Sequence, residues 1–175
     1  KSRGVLEKLH LLCKLYPECR ALMVRKTRES MTQSVMVTYA KKVLTPADQV
    51  RWHDTNQEYR YPNGSRIVVG GLDKSSRIMS TDYDLIYVNE ATEIDEGEWE
   101  DLLTRLRNWR LPFQQAIADC NPSGPDHWLN RRFPPVGQPQ GGKARFASRH
   151  EDNPELFDHA AGSWTPRGLA YIEKL

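Results

Sequence analysis

The sequence predicts an α/β fold with a mainly parallel sheet. Three observations carry that prediction. Short, largely apolar runs of strand length occur at 20–25, 84–88 and 115–119, helical patterns lie between them, and an Asn-Gly pair separates two β-like runs. Strands covered by helices on both faces lose the in/out alternation of a half-exposed sheet and read as continuous apolar runs.

Each element has its own local reason. Val5, Leu6, Leu9, Leu12 and Cys13 recur at helical spacing, so 3–15 reads as an amphipathic helix closed by Tyr16-Pro17. Arg20 to Arg25 follows as a buried strand. Ser30 is placed to cap a helix carrying Val35, Tyr39 and Val43 that ends before Pro46. Glu58 to Tyr61 and Ser65 to Gly70 flank Pro62-Asn63-Gly64, a hairpin signal. Asp84 to Val88 is the best buried strand and ends in Asn89-Glu90. Asp95 and Glu98 form a capping box ahead of Trp99, Leu102, Leu103 and Leu106. Gln115 to Asp119 reads as another strand, and a short helix covers Trp128 to Phe133. Beyond a Pro/Gly/Gln stretch at 134–142, a strand is expected over 143–148 and a helix over 154–162. Thr165-Pro166 then opens the last helix in cap-then-proline order. The whole of 1–175 is read as a single domain.

Composition narrows the function. With 175 residues, 38% of them hydrophobic and 27% charged, the chain can bury one sizeable core. Its net charge, 25 − 23 = +2, neither announces nor excludes a nucleic-acid face. No apolar run approaches the roughly 18 residues of a membrane span, and the first residues pass straight into an amphipathic segment, so neither a membrane protein nor a secretory leader is expected. Three cysteines without zinc-like spacing argue for a reduced, intracellular protein. The five histidines share no ligand spacing, and no Ser/His/Asp or Cys/His arrangement can be read. Trp99, Trp109, Trp128 and Trp164 are assigned to packing.

Three places can carry chemistry. Leu85-Ile86-Tyr87-Val88 delivers Asn89 and Glu90 to the C-terminal end of a buried strand, where open α/β sheets bind ligands. A carboxylate there can orient a water, and the polar group beside it can hold a magnesium shell. Lys1-Ser2 directly precedes a helix, as the last two residues of G-x-x-x-x-G-K-[ST] do when the Lys reaches phosphates and the hydroxyl meets Mg²⁺. Asp119-Cys120-Asn121-Pro122 ends a second strand, with Pro122 holding Asn121 out of helical geometry, so its polar groups can share an edge with Glu90. Arg25-Lys26-Thr27-Arg28 adds cations at a strand exit.

Taken in order, these residues resemble the large terminase subunit of tailed double-stranded DNA bacteriophages, in its ATP-hydrolysing packaging domain. The likeness rests on Lys1-Ser2 plus helix, on Ala21 to Thr27, on 84–94 (DLIYVNEATEI) and on 117–129 (IADCNPSGPDHWL), and it covers essentially the whole chain. It implies a RecA-like P-loop NTPase core with helices flanking the sheet, plus a β-hairpin, and strand 20–25 inserted between phosphate loop and magnesium strand. It implies ATP and Mg²⁺ as ligands. Lys1, Ser2 and Asn121 would then bind nucleotide, Ser2 and Asn89 would hold the metal, Glu90 would be the catalytic carboxylate and Arg25 the charge-stabilising arginine. Asn89 stands where the family's usual Walker B aspartate would be.

The resemblance further implies double-stranded DNA, a portal protein and a small terminase subunit as partners, a homo-oligomeric ring, and work at the procapsid portal in the host cytoplasm. The glycine-rich part of the phosphate loop and a nuclease domain lie outside these residues. The 175 residues alone are therefore expected to bind ATP weakly or not at all, with hydrolysis belonging to the intact parent. Two other readings stay open: another RecA-like DNA-dependent ATPase, such as a helicase, and a non-catalytic DNA-binding or scaffold module.

Overall fold

The computed structural model describes residues 1–175 apart from Gln33, Pro122 and Leu175. It falls into two compact units, Lys1–Leu129 and Asn130–Leu175. Among the described residues no helix is long and apolar enough to cross a membrane.

The first unit is built on a six-stranded sheet. Its strands are β1 (Arg20–Arg25), β2 (Arg51–His53), β3 (Glu58–Arg60), β4 (Arg66–Gly71), β5 (Leu85–Val88) and β6 (Gln115–Ala118), in the order β2-β3-β4-β1-β5-β6. The pairs β1·β4, β1·β5 and β5·β6 are parallel, while β2·β3 and β3·β4 are antiparallel. The expected α/β class with a mainly parallel sheet is therefore the observed one, and the hairpin is the sheet's own antiparallel edge. Gly64, at φ +85°, makes the turn that Asn63-Gly64 announced. The outer strand β2 carries no periodic signal in the sequence, because its three residues are held by pairing with β3 alone.

Helix α1 (Ser2–Leu15) lays Leu6, Leu9 and Cys13 against the sheet. The odd-numbered strand residues Ala21, Met23, Ile67, Val69, Leu85 and Tyr87 share that cluster, as period-two alternation requires. Leu22, Val24, Ile86 and Val88 point the other way and are buried just as fully. A fully buried side chain of this size contributes roughly 1.5–3 kcal/mol, so β1 and β5 anchor the unit. Gly71 ends β4 under the Thr27-Arg28 backbone, where a Cβ would collide with the Arg28 nitrogen.

The single helix expected from Ser30 onward is broken. It is replaced by α2 (Arg28–Thr32), α3 (Val35–Thr38) and a π turn over Tyr39–Val43. Local chemistry explains the break. Ser34 donates to the Ser30 carbonyl and Thr38 to the Ser34 carbonyl, and β-branched Val35, Val37 and Thr38 are poor helix formers. Helix α4 (Glu96–Leu103) begins as predicted, with Glu98 N–H donating to Asp95 at 2.8 Å and Asp95 N–H to Glu98 at 3.0 Å. The short helix α5 (Trp128–Arg132) carries the chain onward. Trp99 and Trp128 are core residues as expected, but Trp109 is 72% exposed.

Two polar networks brace the core. Asp84, fully buried at the start of β5, accepts from Arg20 N, Arg110 N, Leu111 N, Asn108 Nδ2 and Gln114 Nε2. Elsewhere His10 Nδ1 lies 2.9 Å from the Tyr61 hydroxyl, which meets that of Tyr39, while His10 Nε2 faces Asp48 at 3.4 Å. A neutral His10 satisfies this chain throughout, accepting from Tyr61 and donating to Asp48.

In the second unit the expected strand at 143–148 forms only an isolated bridge between Gln140 and Lys143. The expected helix at 154–162 is instead a hairpin of β7 (Phe157–Asp158) and β8 (Ser163–Trp164). Asp158 accepts from the backbone of Ala160 and Ala161, and Gly162 takes φ +63°, so a side-chain-directed turn wins over helical propensity. Helix α6 (Pro166–Ile172) starts at Thr165 as predicted, with the Thr165 hydroxyl accepting from Gly168 N.

The His10 network makes stability fall with acid in two steps. Burial lowers the His10 pKa below its ordinary 6.5, despite Asp48. The Lys14 ammonium, 2.6 Å away, holds Asp48 far below the usual 3.8. In both cases the unfolded chain binds more protons, so stability decreases as pH drops below about 6.5 and again below about 3.8. Urea unfolding between about pH 8 and pH 5 should show the first loss in the parent and a flatter profile in His10→Gln.

Candidate nucleotide and metal site

The parallel register brings three chain ends to one edge. Val24 pairs with Val88, and Val88 with Ala118, so Arg25, Asn89 and Asp119 are the next residues on adjacent strands. Helix α1 covers the same face as Tyr87, and its N-terminus reaches this edge. The Lys1 ammonium donates to the Cys120 carbonyl at 2.6 Å and to Asn121 Oδ1 at 2.7 Å. The Ser2 hydroxyl donates to Asp119 Oδ2 at 2.5 Å. Lys1, Ser2, Asn89, Glu90 and Asn121, far apart in sequence, thus meet at one place. Pro122 lies outside the described residues.

Asp119 is the hub. It is 7% exposed. Its Oδ2 accepts from Ser2 and from the Tyr87 hydroxyl at 2.9 Å, and its Oδ1 accepts from Asn89 Nδ2 at 2.9 Å and Glu90 N at 3.2 Å. Asn89 Nδ2 also donates to the Tyr87 oxygen at 3.1 Å. Burial, with Asp119 beside it, pushes the Tyr87 hydroxyl well above its ordinary 10, so it remains a donor. Sequence reasoning placed Asp119 at this edge and gave it no role. The missed signal was alternation: Tyr87, Asn89, Ile117 and Asp119 fall on one face once 85–88 pairs with 115–118.

Glu90 follows in a left-handed backbone, φ 53° and ψ 56°. Its carboxylate makes no hydrogen bond or ion pair among the described residues, while its backbone is pinned through Asp119 and through Glu93 N–H. A non-glycine residue there costs about 1–2 kcal/mol, and such strain gathers where a side chain must point in one direction. Arg25 lies at the same edge, with Nε and Nη2 gripping both oxygens of Glu93 at 2.8 and 2.5 Å. That hydrogen-bonded pairing raises the Arg25 pKa and lowers that of Glu93.

The donor set suits magnesium. That ion keeps several waters and takes few protein ligands, preferring one or two carboxylates with phosphate oxygens. A hydroxyl and a buried carboxylate in contact fit this description. Among the described residues no group of three or more His, Cys, Asp or Glu could hold a metal alone.

The profile of the phage terminase large subunit family matches residues 1–159. The chain belongs to that family. It is 29% identical over 138 residues to the PBSX phage terminase large subunit of Bacillus subtilis (strain 168), covering 75% of this chain and 31% of that protein. The large terminase of a thermophilic bacteriophage superposes with a TM-score of 0.63 at 16% identity, over 73% of this chain and 32% of that one. The complex of that terminase with ADP gives 0.61 at 17%, covering 73% and 32%. The Thermus phage P74-26 large terminase ATPase domain gives 0.58 at 15%, over 71% and 56%. The chain spans about a third of the length of the PBSX protein and of the thermophilic-phage terminase. The family and the mainly parallel α/β sheet are those the motifs led to.

The strain at Glu90 can be measured. Glu90→Gly removes the Cβ that disfavours φ 53°, whereas Glu90→Ala keeps it and loses the same carboxylate. Chemical denaturation should find the Gly variant more stable than the Ala variant by about 1 kcal/mol.

Proposed function

We propose that this chain is the ATP-hydrolysing motor domain of a viral DNA-packaging terminase, coupling hydrolysis to translocation of double-stranded DNA into the capsid. The observation that carries the reading is the meeting of Lys1 and Ser2, at the N-terminus of α1, with Asp119, Asn121 and Glu90 at the C-terminal sheet edge. A helix N-terminus favours phosphate through its free N–H groups and dipole. The ADP complex of the thermophilic-phage terminase supports nucleotide as the ligand of this fold.

In this reading the Lys1 ammonium neutralises charge on the transferring phosphoryl group, and Ser2 lies beside the bound nucleotide. Magnesium, bound with the nucleotide, supplies further charge stabilisation and would be held from the Ser2 hydroxyl and the polar strand ends, where Asn89 carries the sequence expectation. Glu90, its carboxylate without a hydrogen bond among the described residues, accepts a hydrogen bond from the attacking water and orients it in line. Arg25 is the candidate arginine, its Nη1 left without a hydrogen-bond partner among the described residues while Glu93 fixes the rest of the fork.

Coupling is assigned to Cys120-Asn121. Lys1 donates to both, so a phosphate that recruits the ammonium releases this loop, and product loss restores the contact. Catalysis belongs, in this reading, to the intact parent working as a homo-oligomeric ring. Portal protein, small terminase subunit and double-stranded DNA are its partners at the procapsid in the host cytoplasm.

In the full-length protein Glu90→Gln should lower ATP turnover by about 10²-fold or more while leaving nucleotide affinity within about twofold. Steady-state hydrolysis and calorimetric titration check the two parts. Turnover at the parent rate would reduce Glu90 to a strand end.

A further inference from the structure

The charged group that touches Ser2 is on the wrong strand for the expected metal site. If the hydroxyl of Ser2 faces a divalent cation, a carboxylate beside it is needed to balance the ion's charge, and β5 offers the neutral Asn89. The Ser2 hydroxyl instead donates at 2.5 Å to Asp119, at the end of β6. We propose that Asp119 is the carboxylate of the divalent-cation site, and that Asn89 is the amide that orients it rather than a ligand. This inference rests on the nucleotide reading above and names the carboxylate that balances the metal's charge at that site.

The hydrogen bonds assign the two roles. Asn89 turns its NH₂ group to Asp119 Oδ1 and to the Tyr87 oxygen. An amide NH₂ carries no available lone pair, so the face that meets this cluster is a donor face and cannot ligate. Tyr87 and the Glu90 N–H complete the cradle. All four donors point at one carboxylate, which fixes it with little room to rotate. Two donors meet each carboxylate oxygen, so the cation is reached through Ser2, whose hydroxyl proton goes to Asp119 while its own lone pairs remain for the ion and the carboxylate balances the charge.

The carboxylate has in effect moved one strand across the sheet. Val88 and Ala118 are register partners, so Asn89 and Asp119 occupy equivalent positions on neighbouring parallel strands. The exchange keeps one negative charge on this pair of positions and avoids the repulsion that carboxylates at both would create without metal. It also ties the site to the coupling loop, since Asp119 is followed directly by Cys120 and Asn121.

The test is Mn²⁺ binding to the full-length protein with ADP, followed by the electron paramagnetic resonance of free Mn²⁺, beside calorimetric binding of ADP without metal. Asp119→Asn should weaken Mn²⁺ binding by about tenfold or more and leave metal-free ADP binding within about twofold. Asn89→Ala should weaken Mn²⁺ binding by less than Asp119→Asn does. The exchange variant Asn89→Asp/Asp119→Asn, which restores one carboxylate at the edge, should regain most of the lost affinity. It also serves if Asp119→Asn alone, with its donors facing an amide, does not fold.

Unchanged Mn²⁺ binding in Asp119→Asn overturns the inference while leaving the nucleotide reading intact. So does an equal loss of Mn²⁺ and metal-free ADP binding, which would make Asp119 a scaffold residue, or a greater loss in Asn89→Ala than in Asp119→Asn. If the parent protein binds ADP neither with nor without Mn²⁺, the nucleotide reading itself fails and takes this inference with it.

Discussion

Strand β5 is buried on both faces and paired on both edges, and most of the architecture follows from that constraint. Its four residues are completely apolar in what they present to the sheet faces, apart from the Tyr87 hydroxyl. Every other polar demand is therefore met at its two ends. At the start, Asp84 gathers backbone and side-chain donors from Arg20 and from the 108–114 loop, which fixes where β6 begins. At the finish, Asn89 and Glu90 emerge where β1 and β6 also end. A buried carboxylate left without these donors would cost several kcal/mol, so the loop and the strand order are bound to each other.

The same logic runs at the other end of the sheet, with a different outcome. Asp119 is as thoroughly hydrogen-bonded as Asp84, but one of its donors is the Ser2 hydroxyl and another is the backbone N–H of a residue in left-handed conformation. The Asp84 cluster is closed on itself and holds structure. The Asp119 cluster lies at the sheet edge, next to the Lys1 ammonium and to a Glu90 carboxylate that makes no hydrogen bond among the described residues. Two carboxylates of similar burial thus differ in what surrounds them, one enclosed by its donors and the other at an open edge.

The first unit combines a rigid centre with a less regular flank. Between β1 and β2 the chain passes through two short helices and a π turn, stitched to α1 by the Tyr39, Tyr61 and His10 hydrogen bonds. Those bonds replace helical continuity with side-chain chemistry that depends on a neutral imidazole. The cost is sensitivity to acid. The gain is a tight seam between α1, whose N-terminus forms the site, and the antiparallel edge of the sheet.

How much was legible in the sequence follows from which forces are local. The buried strands, the Asp95–Glu98 box, the Asn63-Gly64 turn and the Thr165 cap were readable because apolar runs, capping side chains and a glycine turn act within a few residues. The family was readable because 84–94 and 117–129 carry side chains in a fixed order. The sequence also pointed to Lys1, Ser2, Glu90 and Asn121, which the structure brings to one edge. It could not say that Asp119 would stand between them, since only the pairing of Val88 with Ala118 sets it beside Asn89. Nor could it foresee the hairpin at 157–164 or the helix break at Ser34, where turn-forming and back-bonding side chains compete with helical propensity on nearly equal terms. Residue type determined which groups could do chemistry; strand register and the seating of α1 decided which of them touch.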